Sequence, residues 1–348
     1  VLTGGALTGN PLTDAVLAAH GPAESHRGRT ALTALAAAGA VGVGAAVWAT
    51  CVERYLFTLR VHAVPVLPAG TAPLTVLHLS DAHMAPWQRR KQDWIAQLAE
   101  ELSPDLVVNT GDNLGHAHGL DGIRTAFAPL RGVPGVFVHG SNDRFGPSGR
   151  NPLRYFSGPS RHHRDAEPLD TAAMDAYFTD ELGWHDLNNT AASVDVAGHR
   201  VEAFGVSDAH REWDDLDALP DAIEDARPRR RLLRAAEQPL LRLGVTHAPY
   251  RRVLDRFTAL GADLLVAGHT HGGQVRVPFA RRALVANCDI PLDQARGLSS
   301  WTADGRTVPL NVSAGLGHSI YAPVRFGCRP EASVLVLVAD SSDRVPTG

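Results

Sequence analysis

The sequence predicts a layered α/β fold of two packed sheets flanked by helices. Three observations carry that prediction. Apolar runs of strand length alternate with helical patterns early in the body, the arrangement of β-α-β units. A second set of such runs follows, enough for a second sheet. The strands also end, one after another, in Asp, Asn or His, and strand C-termini are where open α/β folds place their sites.

Residues 1–29 are rich in Gly, Ala, Thr and Pro and read as a disordered lead-in. Residues 30–52 form a hydrophobic segment. Its core, "ALTALAAAGAVGVGAAVWATC" from Ala31 to Cys51, is uncharged, and about 20 apolar residues suffice to span a bilayer core. It reads as a transmembrane anchor, as a signal peptide cut near Val47–Ala49, or as a buried Ala-rich helix. Arg27 and Arg29 before it, and Glu53, Arg54 and Arg60 after it, do not fix an orientation. The proline-punctuated residues 53–73 read as a linker, and the body runs over residues 74–340.

Within the body, Leu74–Ser80, Asp105–Thr110 and Gly135–Gly140 read as strands. Helical patterns near Gln92–Leu102 and Gly122–Leu130 separate them. Thr190–Val206 reads as a hairpin turning at Ala197-Gly198. Leu241–His247, Asp263–His269, Leu310–Gly315 and Ser333–Val338 supply the second set. Residues 144–185 are rich in Arg, Pro, Gly and aromatics, with a helix predicted over Asp170–Leu182. They form either a surface excursion or a cap whose arginines meet an anion.

Composition sets limits. The net charge of −4 lacks the basic excess of a nucleic-acid binder. The three cysteines form no CxxC pair, so neither a thiolate zinc site nor a disulfide framework is indicated. Nothing in the composition sets the oligomeric state.

The ligand-type residues arrive in order: Asp81 and His83, Asp112 and Asn113, Asn142 and Asp143, His247, then His269 and His271. Singly, each is commoner as a cap, a turn or a core histidine. Together they form an oxygen and nitrogen set without sulfur, suited to divalent Mn, Fe, Zn, Mg or Co. Asp112 is placed to bridge two such ions.

The ordered set D-x-H, G-D-N, G-S-N-D, G-x-x-H and G-H-T-H resembles the calcineurin-like metallophosphoesterase family over most of the body. "GHTHGGQVRVP" and "SAGLGHSIYAPVRFGCRPE" resemble its bacterial membrane-associated branch. The resemblance implies a four-layer α/β/β/α sandwich and two metal ions. Asp81, His83, Asp112 and His271 would hold one. Asp112, His247, His269 and an amide oxygen of the third motif would hold the other. It implies hydrolysis of a phosphodiester or pyrophosphate by a metal-activated hydroxide, with a lipid-linked substrate suggested by the N-terminal segment. A phosphomonoesterase or protein phosphatase, or a metal-binding scaffold without catalysis, are the alternatives. The expected location is a membrane or the exported fraction, on a side the sequence leaves open.

One motif departs from the pattern. Gly-Asn-His-Asp is usual, but Gly140-Ser141-Asn142-Asp143 stands here, so the customary histidine is missing. Asn142 is expected to reach the metal through a shifted loop; otherwise Ser141 or a water completes the shell. His116 is the candidate replacement acid, with His118 and His139 as rivals and a plain surface histidine as the bland reading. Asn113, Arg144 and Arg150 are the expected substrate contacts.

Overall fold

A computed structural model describes residues 23–147, 166–227, 240–280, 282–318 and 322–340. The lead-in over residues 1–22 and Arg150 lie outside them. The chain divides into two units, one ending at Trp48 and the body from Ala49 onward.

In the first unit, α1 (Ala23–Val47) is a helix of 25 residues. The stretch Arg29–Tyr55 is long and apolar enough to cross a membrane. Along it, Leu32, Leu35, Val41, Val43 and Val47 are exposed.

In the body, the first sheet contains six strands. They are β1 (Thr58–Leu67), β2 (Leu74–Leu79), β3 (Leu106–Asn109), β4 (Gly135–Phe137), β5 (His185–Asp186) and, from the far end of the chain, β12 (Glu331–Ala339), in the order β1-β12-β2-β3-β4-β5. The second sheet contains β6 (Thr190–Val196), β7 (His199–Val206), β8 (Leu241–Thr246), β9 (Leu264–Ala267), β10 (Gly297–Ala303) and β11 (Arg306–Val312), in the order β10-β11-β9-β8-β7-β6.

β1 corrects the expected linker. It pairs in parallel with β12 from Thr58↔Glu331 onward, and Val64 and Leu67 are buried. Pro65 is tolerated because β1 is an edge strand, and the register slips beside it, between Pro65 and Leu67. The hairpin prediction matches: Ala197 (φ 48°) and Gly198 (φ 79°) form the two-residue, positive-φ turn that suits strand twist.

Side chains alternate between the faces of each strand, and three cores result. Val64, Val76, Val108 and Val136 of the first sheet meet Val194, Val201, Val245 and Val266 of the second. On the outer face of the first sheet, Leu77, Leu79 and Phe137 pack under α2 (Arg89–Leu102) and α3 (Gly119–Phe127) through Ile95, Leu98, Ile123 and Phe127. The same core takes Met174 from α4 (Thr171–Ala176), a short helix capped by Asp170, whose carboxylate accepts from Ala173 N. On the outer face of the second sheet, Phe204 and Leu265 pack under α5 (Leu219–Asp225) and α6 (Arg251–Ala259) through Ile223, Val253 and Phe257. The body is therefore the four-layer α/β/β/α sandwich. The loops after β2, β3, β4, β7, β8 and β9 carry Asp and His to its site.

Candidate metal centre

Asp112, just past β3, has its Oδ2 3.6 Å from His83 Nε2 and 3.5 Å from His247 Nε2. The same oxygen accepts from the Asn142 carboxamide at 2.7 Å, and Oδ1 accepts from Asn142 N at 2.9 Å. One carboxylate thus touches residues from three other loops. The ligand atoms of Asp81, His83 and His271 lie within 4.8 Å of one another, as do those of Asp81, Asp112 and His247. His83 Nε2 and His271 Nε2 face each other at 3.2 Å, and so do His247 Nε2 and His269 Nδ1.

Local backbone makes this convergence work. Five of the seven expected ligands hold positive φ: Asp81 (49°), His83 (40°), Asp112 (54°), His269 (66°) and His271 (49°). Residues with side chains rarely adopt this region, and such strain gathers at functional sites. In extended chain, alternation would send neighbouring side chains to opposite sides. Left-handed turns at His269 and His271 override it and bring both rings inward. Two glycines leave the necessary space. A Cβ on Gly268 would collide with Ser80 Oγ and stand 2.7 Å from Asp81 Oδ2. A Cβ on Gly140 would collide with Asp112 Oδ1 and stand 2.7 Å from His247 Cε1.

The donor chemistry fits divalent ions. Asp81 Oδ1 is buried with no hydrogen-bond donor on it, 3.6 Å from His271 Nε2. His247 Nδ1 bonds Thr110 O at 2.7 Å, so it carries the proton and Nε2 presents a lone pair. His269 Nε2 bonds Asn287 O at 3.3 Å, leaving Nδ1 as the donor atom. Burial holds His83, His269 and His271 well below the usual imidazole range, hence neutral, as ligands must be. Burial also raises Asp81, and raises Asp112 to about 7 with help from Asp81, Asp143 and Asp208. A divalent cation bound there would hold both carboxyls in the anionic form. Burial opposes the charge on His247, but Asp112, Asp208 and Asp81 outweigh it and lift the ring to about 9; a bound divalent ion would take the place of that second proton and leave the Nε2 lone pair for the metal.

Other residues hold the ligands in place. Asp143 is fully buried and accepts backbone N–H from Asp112, Asn113, Leu114 and Gly140, locking two ligand loops together. Arg325, fully buried, donates to His271 O at 3.0 Å and Ala314 O at 2.8 Å. Asp208 accepts from Ser141 N and His210 N. The His210 ring lies 4.5 Å from that of His269, and its Nδ1 is 3.0 Å from Tyr250 Oη. The sequence reading passed over Asp208 and His210. The signal was present: Ser207-Asp208-Ala209-His210 after β7 repeats Ser80-Asp81-Ala82-His83 after β2, letter for letter.

The remaining expected site residues fall differently. Asn113, expected to contact substrate, is buried and forms a reciprocal amide pair with Asn109, at 2.7 and 3.1 Å. Its sequence motif does not reveal a partner four residues earlier. Arg144 is exposed, with its guanidinium 5.2 Å from the Trp213 ring centroid. His116 packs against Trp87 and His118, at 5.1 and 5.5 Å, rather than against the ligand side chains. His139 is buried between Asp143 and Asp175.

Residues 74–273 match the family profile described as calcineurin-like phosphoesterase. The chain belongs to this family. Among its relatives is the phosphodiesterase YaeI of Escherichia coli, 28% identical over 287 residues, covering 81% of this chain and 88% of that protein. A bovine transmembrane protein with a metallophosphoesterase domain is 26% identical over 79% of this chain and 56% of its own length. Among solved structures, the NAD nucleotidase of Haemophilus influenzae aligns with 9% identity and a TM-score of 0.38, over 70% of this chain and 51% of that one. Membership supports phosphoesterase activity, and two groups of residues in the chain could hold a metal ion.

Proposed function

We propose that the chain is a phosphodiesterase with two divalent ions. Asp81, His83, Asp112 and His271 would hold one, and Asp112, Asn142, His247 and His269 the other. The observation that carries this reading is Asp112 Oδ2, set within 3.6 Å of a histidine from each side and bonded to Asn142. The Asn142 oxygen and nitrogen exchange places by a χ2 flip, which turns the oxygen inward. Bound ions would supply Lewis acidity, activating water and neutralising phosphoryl oxygens.

The chain's own residues set the rest. Thr110 O and Asn287 O fix which nitrogen each histidine presents. Asp143 and Asp208 keep the Asp112 and Ser141 loops in register. Arg144, steadied on Trp213, meets a second anionic part of the substrate. With Asn142 in place of the customary histidine, esters with acidic leaving groups are favoured, because they depart with little protonation. The hydrophobic segment anchors the chain in a membrane, and a lipid-linked diester or pyrophosphate is the matching substrate.

The test is hydrolysis of bis-p-nitrophenyl phosphate and of the monoester with Mn added. Mn-dependent diester cleavage is expected, falling about 10²–10³-fold in Asp112→Asn, the scale of losing an electrostatic contact to the transition state. Stoichiometric Mn binding without turnover of either ester would sink the enzyme reading. His116→Gln is expected to leave turnover of these esters unchanged; a large loss would make His116 the proton donor.

A further inference from the structure

The loop after the G-H-T-H motif is held at its base and apolar at its tip. Buried Arg276 donates to Gly272 O at 2.9 Å, Arg276 N donates to Phe326 O, and Ala283 N donates to Leu292 O. Between these ties, Val277 is exposed, and Phe279, at φ 67°, is fully exposed. A bulky side chain held outward at positive φ is an outlier, costly in both hydration and strain. Arg281 and Arg282 follow, and no acidic residue occurs between Asp263 and Asp289. The loop after β2 repeats the pattern with Trp87, 62% exposed, followed by Gln88, Arg89 and Arg90. The two loops leave the metal centre from neighbouring points, since each begins at one of the touching rings of His83 and His271.

Segments adjoining both loops are also tied to the stretch where the membrane-length segment ends. That segment runs to Tyr55. The Arg90 guanidinium lies 5.6 Å from the Tyr55 ring centroid. Phe326, which bonds the Phe279 loop, lies beside Arg325, whose N–H donates to Ala49 O at 3.1 Å; Cys328 N donates to Glu53 Oε1 at 2.7 Å. Two aromatic tips, each followed by paired arginines and each next in the chain or bonded to a segment that reaches residues 49–55, match a bilayer surface in chemistry and position. Aromatic rings settle at the headgroup level, and arginines meet anionic lipid.

We propose that the Trp87 and Phe279 loops dock on an anionic bilayer surface, setting the His83–His271 side of the metal centre against the headgroups. The docking needs no catalysis, so it stands or falls apart from the phosphodiesterase reading.

The test uses the full chain in lipid nanodiscs, with photoreactive p-benzoylphenylalanine replacing Trp87, Phe279 or, as a control, Asp304 in the exposed turn after β10. Cross-links to phospholipid are expected at 87 and 279 and absent at 304. They should increase when phosphatidylglycerol is added to phosphatidylcholine. Arg282→Gln should lower the phosphatidylglycerol-dependent part about fivefold, the effect of one basic charge near such a surface. Asp112→Asn should cross-link like the parent. Cross-linking at 279 no stronger than at 304, or only to a second copy of the chain, overturns the proposal. Hydrogen exchange on the unsubstituted chain guards against misfolded variants: residues 277–284 should be better protected in nanodiscs than in detergent, and equal exchange overturns it too.

Discussion

A methyl group is enough to disturb this centre. On Gly268 it would strike Ser80 and crowd Asp81, both fully packed, so the β2 loop must yield. Gly268→Ala is expected to cost about 1–3 kcal/mol, the usual range for overpacking. Mn affinity should fall with it, read by denaturant midpoints and metal titration on one preparation. His139 gives a second prediction at this scale. Burial lowers its tendency to hold a proton, but Asp143 and Asp175 more than reverse this, raising it from 6.5 to about 9. The native state therefore binds the proton more tightly than the unfolded chain. The resulting stability, on the order of 3 kcal/mol, is fully present below pH 6.5 and lost as pH rises through about 9. Urea midpoints should decline across that window, and in His139→Gln this component of the decline should vanish. An unchanged slope would show that the ring does not carry the effect.

β1 decides how much chain the body needs. It covers β12 along most of its length and buries Val64 and Leu67 between the sheets. A chain starting at Ala49 should fold and bind Mn. One starting at Leu74 should aggregate, because β12 would become a long, apolar, unpaired edge; monodisperse elution of the shorter chain would count against this. The same strand shows where sequence legibility ended. β2, β3, β8 and β9 were readable because each joins an apolar run to a residue with metal chemistry. β1 was not, since Pro65 and alternate exposed residues give it the look of a linker. β5 has only two residues, and β10 mixes Ser and Thr with a single buried Trp301. In the centre, the ordered motifs were legible along the chain, and the side chains of Asp81, His83, Asp112, His247 and His271 converge there. The contacts of Asp208 with Ser141 N and of Asn113 with Asn109 were not legible, because they join distant backbone or a neighbouring amide, which no local pattern encodes.

Over the whole molecule, a modest net charge of −4 hides an uneven surface. Two loops each carry an exposed aromatic followed by paired arginines, and an apolar stretch leads into the body. Membrane fractions are expected to retain the chain through alkaline extraction, and a deletion of residues 29–47 should release it. Full release of the unaltered chain, shortened at its N-terminus, would identify a cleaved signal instead.

The left-handed backbone at Asp81, His83, Asp112, His269 and His271 bears on how this protein evolves. Each such residue costs roughly 1 kcal/mol or more, a sizeable share of the roughly 5–15 kcal/mol that keeps a domain folded. A library selected only for heat resistance should therefore converge on Gly or Asn at these five positions, and the winners should no longer retain metal. Deep sequencing before and after such a selection would display the centre as a set of positions where durability and chemistry pull apart.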